Sequence, residues 1–142
     1  MKDLLEQIKD LRILVIGDVM LDRYVVGEVS RISPEAPVPV LSVMDERSVA
    51  GGAANVALNV GSLGANVESV GWFGEDERGD DLIDILGSEN IEVDSAFRFS
   101  SAPTISKSRV TASNQQICRV DRESSSDQYL SLIHISEPTR PY

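Results

Sequence analysis

Residues 12–17, Arg-Ile-Leu-Val-Ile-Gly, form a continuous apolar run that stops at a glycine. With no polar alternation, the run reads as a strand buried on both faces, as in parallel sheets. Parallel neighbours need long crossovers, usually helices, so this one element already favours an α/β chain.

The rest of the chain follows that pattern. Met1 to Leu11 places Leu4, Leu5, Ile8 and Leu11 at helical spacing among acids, and reads as a short amphipathic helix rather than a signal peptide. Tyr24–Val29 and Val38–Val43 read as strands joined by SRISPEAP. Pro34, Pro37 and Pro39 make that pair edge-like, a flap leaving the main sheet. Gly51 to Leu63 predicts a helix rich in small residues, with Gly64 at its stop. Asn66–Phe73 predicts a strand, Glu77–Leu86 a helix and Ile91–Val93 a short strand. Ile105–Ala112 and Gln115–Asp121 alternate with period two around Ser113-Asn114, a hairpin signal. The expected fold is α/β: a parallel sheet with covering helices and a small second sheet.

The formal net charge of −10 makes nucleic acid and anionic membrane poor partners. It also means that a phosphate ester would need a local cluster of Lys or Arg. The single cysteine, Cys118, sits in an apolar–polar alternation and is expected as a buried or half-buried thiol. No stretch is long and apolar enough for a membrane helix, and a cytoplasmic location is expected. Residues 130–142, LSLIHISEPTRPY, follow a polar Ser run and resemble the translation of sequencing-adapter DNA. They are expected to be a non-native tail, so the only histidine, His134, is no candidate ligand or catalyst.

Four groups of residues carry candidate chemistry. Gly51 and Gly52 precede a helix start, where free N–H groups and the helix dipole favour an oxygen-rich ligand, and Asn55 offers a donor and an acceptor. A tight turn packed on a helix has the same appearance. Asp18 and Asp22 lie just past the carboxyl end of the first strand, where open α/β sheets bind ligands. A carboxylate there can accept from adjacent sugar hydroxyls or simply cap a turn. Lys107 and Arg109 are two apart on a predicted strand and share a face, able to hold a phosphate or to stand solvated at an edge. The stretch from Gly71 to Gly79 reads as strand, turn and helix start. A dinucleotide-binding domain is excluded, because Asp-Val-Met-Leu-Asp follows Gly17 with no G-x-G-x-x-G.

In order and spacing, VIGDVMLDRY, SRISPEAPVPV, GGAANVALNVGSLGANVESVGWFGEDERGD and PTISKSRVTASNQQICRVDRE resemble the N-terminal half of ribokinase-type (PfkB-type) carbohydrate kinases, above all the heptose 7-phosphate kinases. The resemblance covers roughly residues 10–123. It implies a ribokinase-like three-layer α/β/α fold with a β lid from about residues 23–44 and 104–121, residues 1–129 being the N-terminal part of the kinase domain. It implies transfer of the ATP γ-phosphate, with Mg2+, to the C1 hydroxyl of heptose 7-phosphate, in a protein that is a homo-oligomer at full length. Asp22, assisted by Asp18, would bind sugar hydroxyls, and Gly51, Gly52 and Asn55 would line the sugar site. Lys107 and Arg109 would take the 7-phosphate, with Asn114, Gln116 and Arg119 as further lid contacts. The family's catalytic Asp, in a Gly-Ala-Gly-Asp type motif, does not occur before Leu130. No catalytic or metal-binding residue is therefore expected in this chain, and no kinase activity of its own. The alternatives are another ribokinase-type sugar kinase, or a non-catalytic sugar-phosphate-binding module.

Overall fold

The computed structural model describes residues 6–124 and 129. The expected tail, and most of the expected N-terminal helix, lie outside them; residues 6–8 are helical. β1 (Arg12–Ile16) pairs in parallel with β4 (Asn66–Val70), Arg12 opposite Asn66 and Ile16 opposite Val70. Between them in sequence, helix α1 (Ala53–Ser62) runs back over the pair, and Gly64 takes a positive φ of 100° just past its end. Helix α2 (Glu77–Ser88) follows β4 and the two-residue strand β5 (Phe73–Gly74). β5 pairs in parallel with β6 (Arg98–Phe99).

A further sheet has four strands in the order β3-β2-β7-β8. β2 (Val19–Ile32) is antiparallel to β3 (Pro39–Gly52) on one side and parallel to β7 (Ser106–Ala112) on the other. β7 turns antiparallel into β8 (Gln115–Arg122) through Ser113 and Asn114, whose φ values of 49° and 65° suit the two positive-φ positions of a tight hairpin. The core forms where the sheets and the helices meet: Val19, Leu21, Ala54, Phe73, Leu82 and Leu86 are fully buried there. Alanine at 54 and 57 brings α1 close to the strands, as a small-residue face allows.

Several expectations need correction. β1 is not buried on both faces: Ile13 and Val15 are half-buried, whereas Leu14 and Ile16 are 53% and 58% exposed. Among the described residues only one face of β1 is covered. β2 is an interior strand, not an edge. Its ladder escapes the prolines because Pro34 and Pro37 lie in the connection and Pro39 opens β3, itself an edge strand where a missing N–H costs little. Both strands are also far longer than the apolar pattern suggested. The strand expected over Asn66–Phe73 breaks at Gly71-Trp72, where the Trp72 indole N–H donates to the Ala102 carbonyl at 3.1 Å and its ring stacks on Phe99 at 4.2 Å. Ile91–Val93 contributes only a single parallel bridge, Glu68 to Glu92. Cys118 is exposed, since every residue of the edge strand β8 is exposed.

Candidate functional site

The end of β1 and the start of α1 are joined through the backbone. The Ala53 N–H donates to the Asp18 carbonyl at 2.9 Å. Gly52, at φ 57°, lies so close that a Cβ there would come within 2.3 Å of that same oxygen. Only glycine meets both demands. The helix start and the strand-end loop are thus one unit carrying Asp18, Gly51, Gly52 and Asn55.

Asp22 stands beside this unit on β2. A Cβ on Gly51 would sit 2.7 Å from Asp22 Oδ2, so the carboxylate lies directly over the Gly51 backbone. The close approach inferred for the glycine pair is therefore first an approach by the protein's own carboxylate. Asp22 Oδ1 accepts from Arg109 Nη1 at 2.6 Å. Among the described residues Oδ2 accepts no hydrogen bond, which leaves it able to receive one from a ligand hydroxyl. Asn55 is exposed; its Oδ1 accepts from Asn59 Nδ2 at 3.3 Å, and among the described residues its own amide N–H2 is unengaged.

The four-stranded sheet carries a row of charges on the face of Asp22. Reading across the ladder, Asp22 is opposite Lys107 and Tyr24 is opposite Arg109, while Lys107 faces Asp121 and Arg109 faces Arg119. Like charges directly opposite repel. Here each is drawn off by its own carboxylate: Arg109 by Asp22, and Arg119 by Asp121, at 2.8 and 2.9 Å. Lys107 Nζ lies 3.7 Å from Asp121 Oδ2. The hydrogen bond to Asp22 raises the Arg109 pKa, against a smaller opposing effect of burial. The hydrogen bonds from Arg119, aided by the charges of Arg119 and Lys107, lower that of Asp121.

Lys107 and Arg109 do share a face, as their spacing predicts, but both already hold carboxylates. Arg119 joins that face. Gln116 pairs with Thr111, four residues along β7 from Lys107, or about 13 Å at strand rise. Asn114 lies further out, in the turn, where its left-handed backbone accounts for its identity. The structure does not bring Asn114 or Gln116 to the Asp22 cluster. Sequence reasoning passed over Tyr24, Asp121 and Arg47. The first two carried a signal, lying two residues from Asp22 and Arg119 on strands. Arg47 carried none, because its place opposite Tyr24 depends on the β2–β3 register.

A second polar node braces the sheet from behind. Asp76 caps α2: its Oδ1 accepts from the Gly79 N–H at 2.9 Å and from Thr104 Oγ1 at 2.7 Å, and its Oδ2 accepts from the Thr104 N–H at 3.2 Å. Burial alone would raise the Asp76 pKa; the hydrogen bonds from Thr104 and Gly79 and the Arg78 charge outweigh it and lower it. The node fixes the chain just before β7, and so the position of Lys107 and Arg109. A separate recess of about 290 Å³ runs along β1 and β4, lined by Arg12, Leu14, Asn66, Glu68, Asn90 and Glu92. None of the candidate residues lines it. Among the described residues no group of three or more His, Cys, Asp or Glu could hold a metal, and no helix is long and apolar enough to cross a membrane.

A family model described as pfkB family carbohydrate kinase matches residues 10–138, which includes part of the tail segment. Bifunctional protein HldE of Azorhizobium caulinodans is 54% identical over 112 residues, covering 78% of this chain and 23% of that protein. The chain spans about a quarter of the length of the curated relatives it matches. Among solved structures, a fructokinase with bound ATP from Xylella fastidiosa is 27% identical with a TM-score of 0.58, covering 78% of this chain and 32% of that one. Ribokinase from Arabidopsis thaliana, complexed with ribose and ATP, is 23% identical with a TM-score of 0.59, covering 76% and 34%. These likenesses identify the architecture as the ribokinase-like α/β kinase fold.

Proposed function

The chain belongs to the pfkB family of carbohydrate kinases, a phosphotransferase family, and on that premise we propose that it is the sugar-binding part of an enzyme that phosphorylates the C1 hydroxyl of heptose 7-phosphate. The single observation that carries the reading is the state of Asp22. One carboxylate oxygen is fixed by Arg109, and the other lies over the bare Gly51 backbone with no protein donor among the described residues. A carboxylate held in that way accepts sugar hydroxyls without first being oriented, and each such hydrogen bond is worth about 1.5–3 kcal/mol.

In this reading Asp22 grips the polyol and Asp18 assists. Gly51 and Gly52 let the sugar approach the helix start, and the Asn55 amide donates to a hydroxyl. The basic residues of the sheet face, Lys107 and Arg109 among them, hold the phosphate at the far end and offset the repulsion of an acidic chain. Arg119 supports them through Asp121. ATP is the phosphoryl donor in this reading, with Mg2+ neutralising the transferred charge, and the cytoplasm is where both are met. The restriction to heptose 7-phosphate rests on the resemblance of SRISPEAPVPV and of the stretch from Asn114 to Glu123 to kinases of that sugar.

Calorimetric titration of the chain with heptose 7-phosphate, ribose and fructose tests the assignment. Tightest binding by heptose 7-phosphate is expected. A preference for ribose or fructose would make this a pfkB-type kinase of another sugar.

A further inference from the structure

Tyr24 stands between two guanidiniums. Arg47 Cζ lies 5.2 Å from the ring centroid and Arg109 Cζ lies 5.4 Å from it. The register explains this: Arg47 is opposite Tyr24 in the β2–β3 ladder, and Arg109 is opposite it in the β2–β7 ladder. With strands about 4.8 Å apart, the two arginine backbones flank the tyrosine at a separation of about 10 Å. All three side chains share the face of Asp22, which is two residues from Tyr24 on β2 and so about 7 Å away at strand rise.

The cations on this face are not equivalent. Lys107, Arg109 and Arg119 each hold a carboxylate. Among the described residues Arg47 forms no ion pair and is exposed, with its guanidinium over the tyrosine ring. A phosphate dianion arriving at Lys107 or Arg109 must compete with Asp121 or Asp22. At Arg47 it displaces no carboxylate, and the ring holds the guanidinium on the site's side of the sheet.

We propose that Arg47, oriented by Tyr24, is the principal anchor for the phosphate of the bound sugar phosphate, with Arg109 closing on it from the opposite strand. The inference rests on the reading of Asp22 as the sugar's grip, and it moves the phosphate contact from the β7 cations to β3. It also assigns Tyr24 a positioning role, since the phenol ring sets where Arg47 stands.

Calorimetric titration of the 142-residue chain with heptose 7-phosphate and with unphosphorylated heptose tests it. Arg47→Ala is expected to weaken heptose 7-phosphate binding about ten- to a hundredfold, the scale of losing charge-assisted hydrogen bonds, and to leave heptose binding unchanged. Arg47→Lys should recover part of the loss, and Tyr24→Leu should reproduce a smaller one, again for the phosphorylated sugar alone. If Arg47→Ala binds both sugars as the unaltered chain does, or if Lys107→Ala alone shows the phosphate-selective loss, the anchor is not Arg47, while the Asp22 reading stands. If the unaltered chain binds neither sugar, the Asp22 reading itself falls and takes the proposal with it.

Discussion

Arg109 reaches Asp22 diagonally: its Nη1 donates to Oδ1 at 2.6 Å although the ladder sets Arg109 opposite Tyr24 and Asp22 opposite Lys107. The diagonal joins residues 87 positions apart and fixes the carboxylate over Gly51. Both side chains are partly exposed, at 25% and 17%, so the pair should couple weakly in stability. A double-mutant cycle with Asp22→Asn and Arg109→Ala, read by denaturant unfolding, should give a coupling energy of about 1 kcal/mol, smaller at high salt.

The two glycines before α1 should fail in different ways. Gly51→Ala places a methyl 2.7 Å from Asp22 Oδ2 and 2.9 Å from Met20 Cγ, both in side chains that can shift. Sugar affinity should fall about tenfold or more, the cost of a misplaced charged acceptor, with a smaller fall in melting temperature than at Gly52. Gly52→Ala meets the Asp18 carbonyl at a positive φ, where the backbone itself must yield. It should lose about 1–3 kcal/mol of stability. Thermal melts and titrations of both variants check the contrast.

Asp76 predicts an acid-sensitive brace. Its pKa is lower in the folded chain than in the unfolded one, so the folded state binds its proton less readily. The stabilisation is therefore fully present above the unfolded carboxylate value near 3.9 and is lost as pH falls through the lower folded value. Asp76→Asn keeps one accepting oxygen but puts an amide N–H2 where the other oxygen accepted, and should lower stability by about 1 kcal/mol at neutral pH. The gap from the unaltered chain should close in acid, in melting curves recorded from pH 7 down to about 2.

The hairpin turn gives a purely local test. Ser113 occupies φ 49° without being glycine. Ser113→Gly should leave stability unchanged or raise it by up to about 1 kcal/mol, while Asn114→Val, a β-branched residue at φ 65°, should lower it by more than that. Chemical denaturation of the two variants measures both.

Local patterns were legible in the sequence where one residue type serves one purpose. The diglycine marked the helix start because backbone closeness and a positive φ at Gly52 admit nothing larger. The period-two alternation marked β7 and β8, and Gly64 marked the end of α1. Asp22 drew attention through its place after the first strand; the structure sets it within β2, opposite Val49. What was not legible depends on pairing. The length of β2 and β3 comes from their mutual ladder and not from apolar residues, since most of β3 is polar and exposed. The same ladder brings Arg47 to Tyr24. The turn of Trp72 out of line is set by Ala102 and Phe99, thirty and twenty-seven residues away. The covering of β1 was misjudged because an apolar run reports what a strand can bury, not what lies against it.

In the proposed function, Asp22 and the diglycine helix start hold one sugar between them. Amide chemical shifts of isotopically labelled chain, followed during titration with heptose 7-phosphate, test it most directly. The largest saturable shifts are expected at Asp22, Gly51, Gly52 and Asn55, abolished by Asp22→Ala. Shifts confined to the recess between β1 and β4, or shifts that persist in Asp22→Ala, would contradict it.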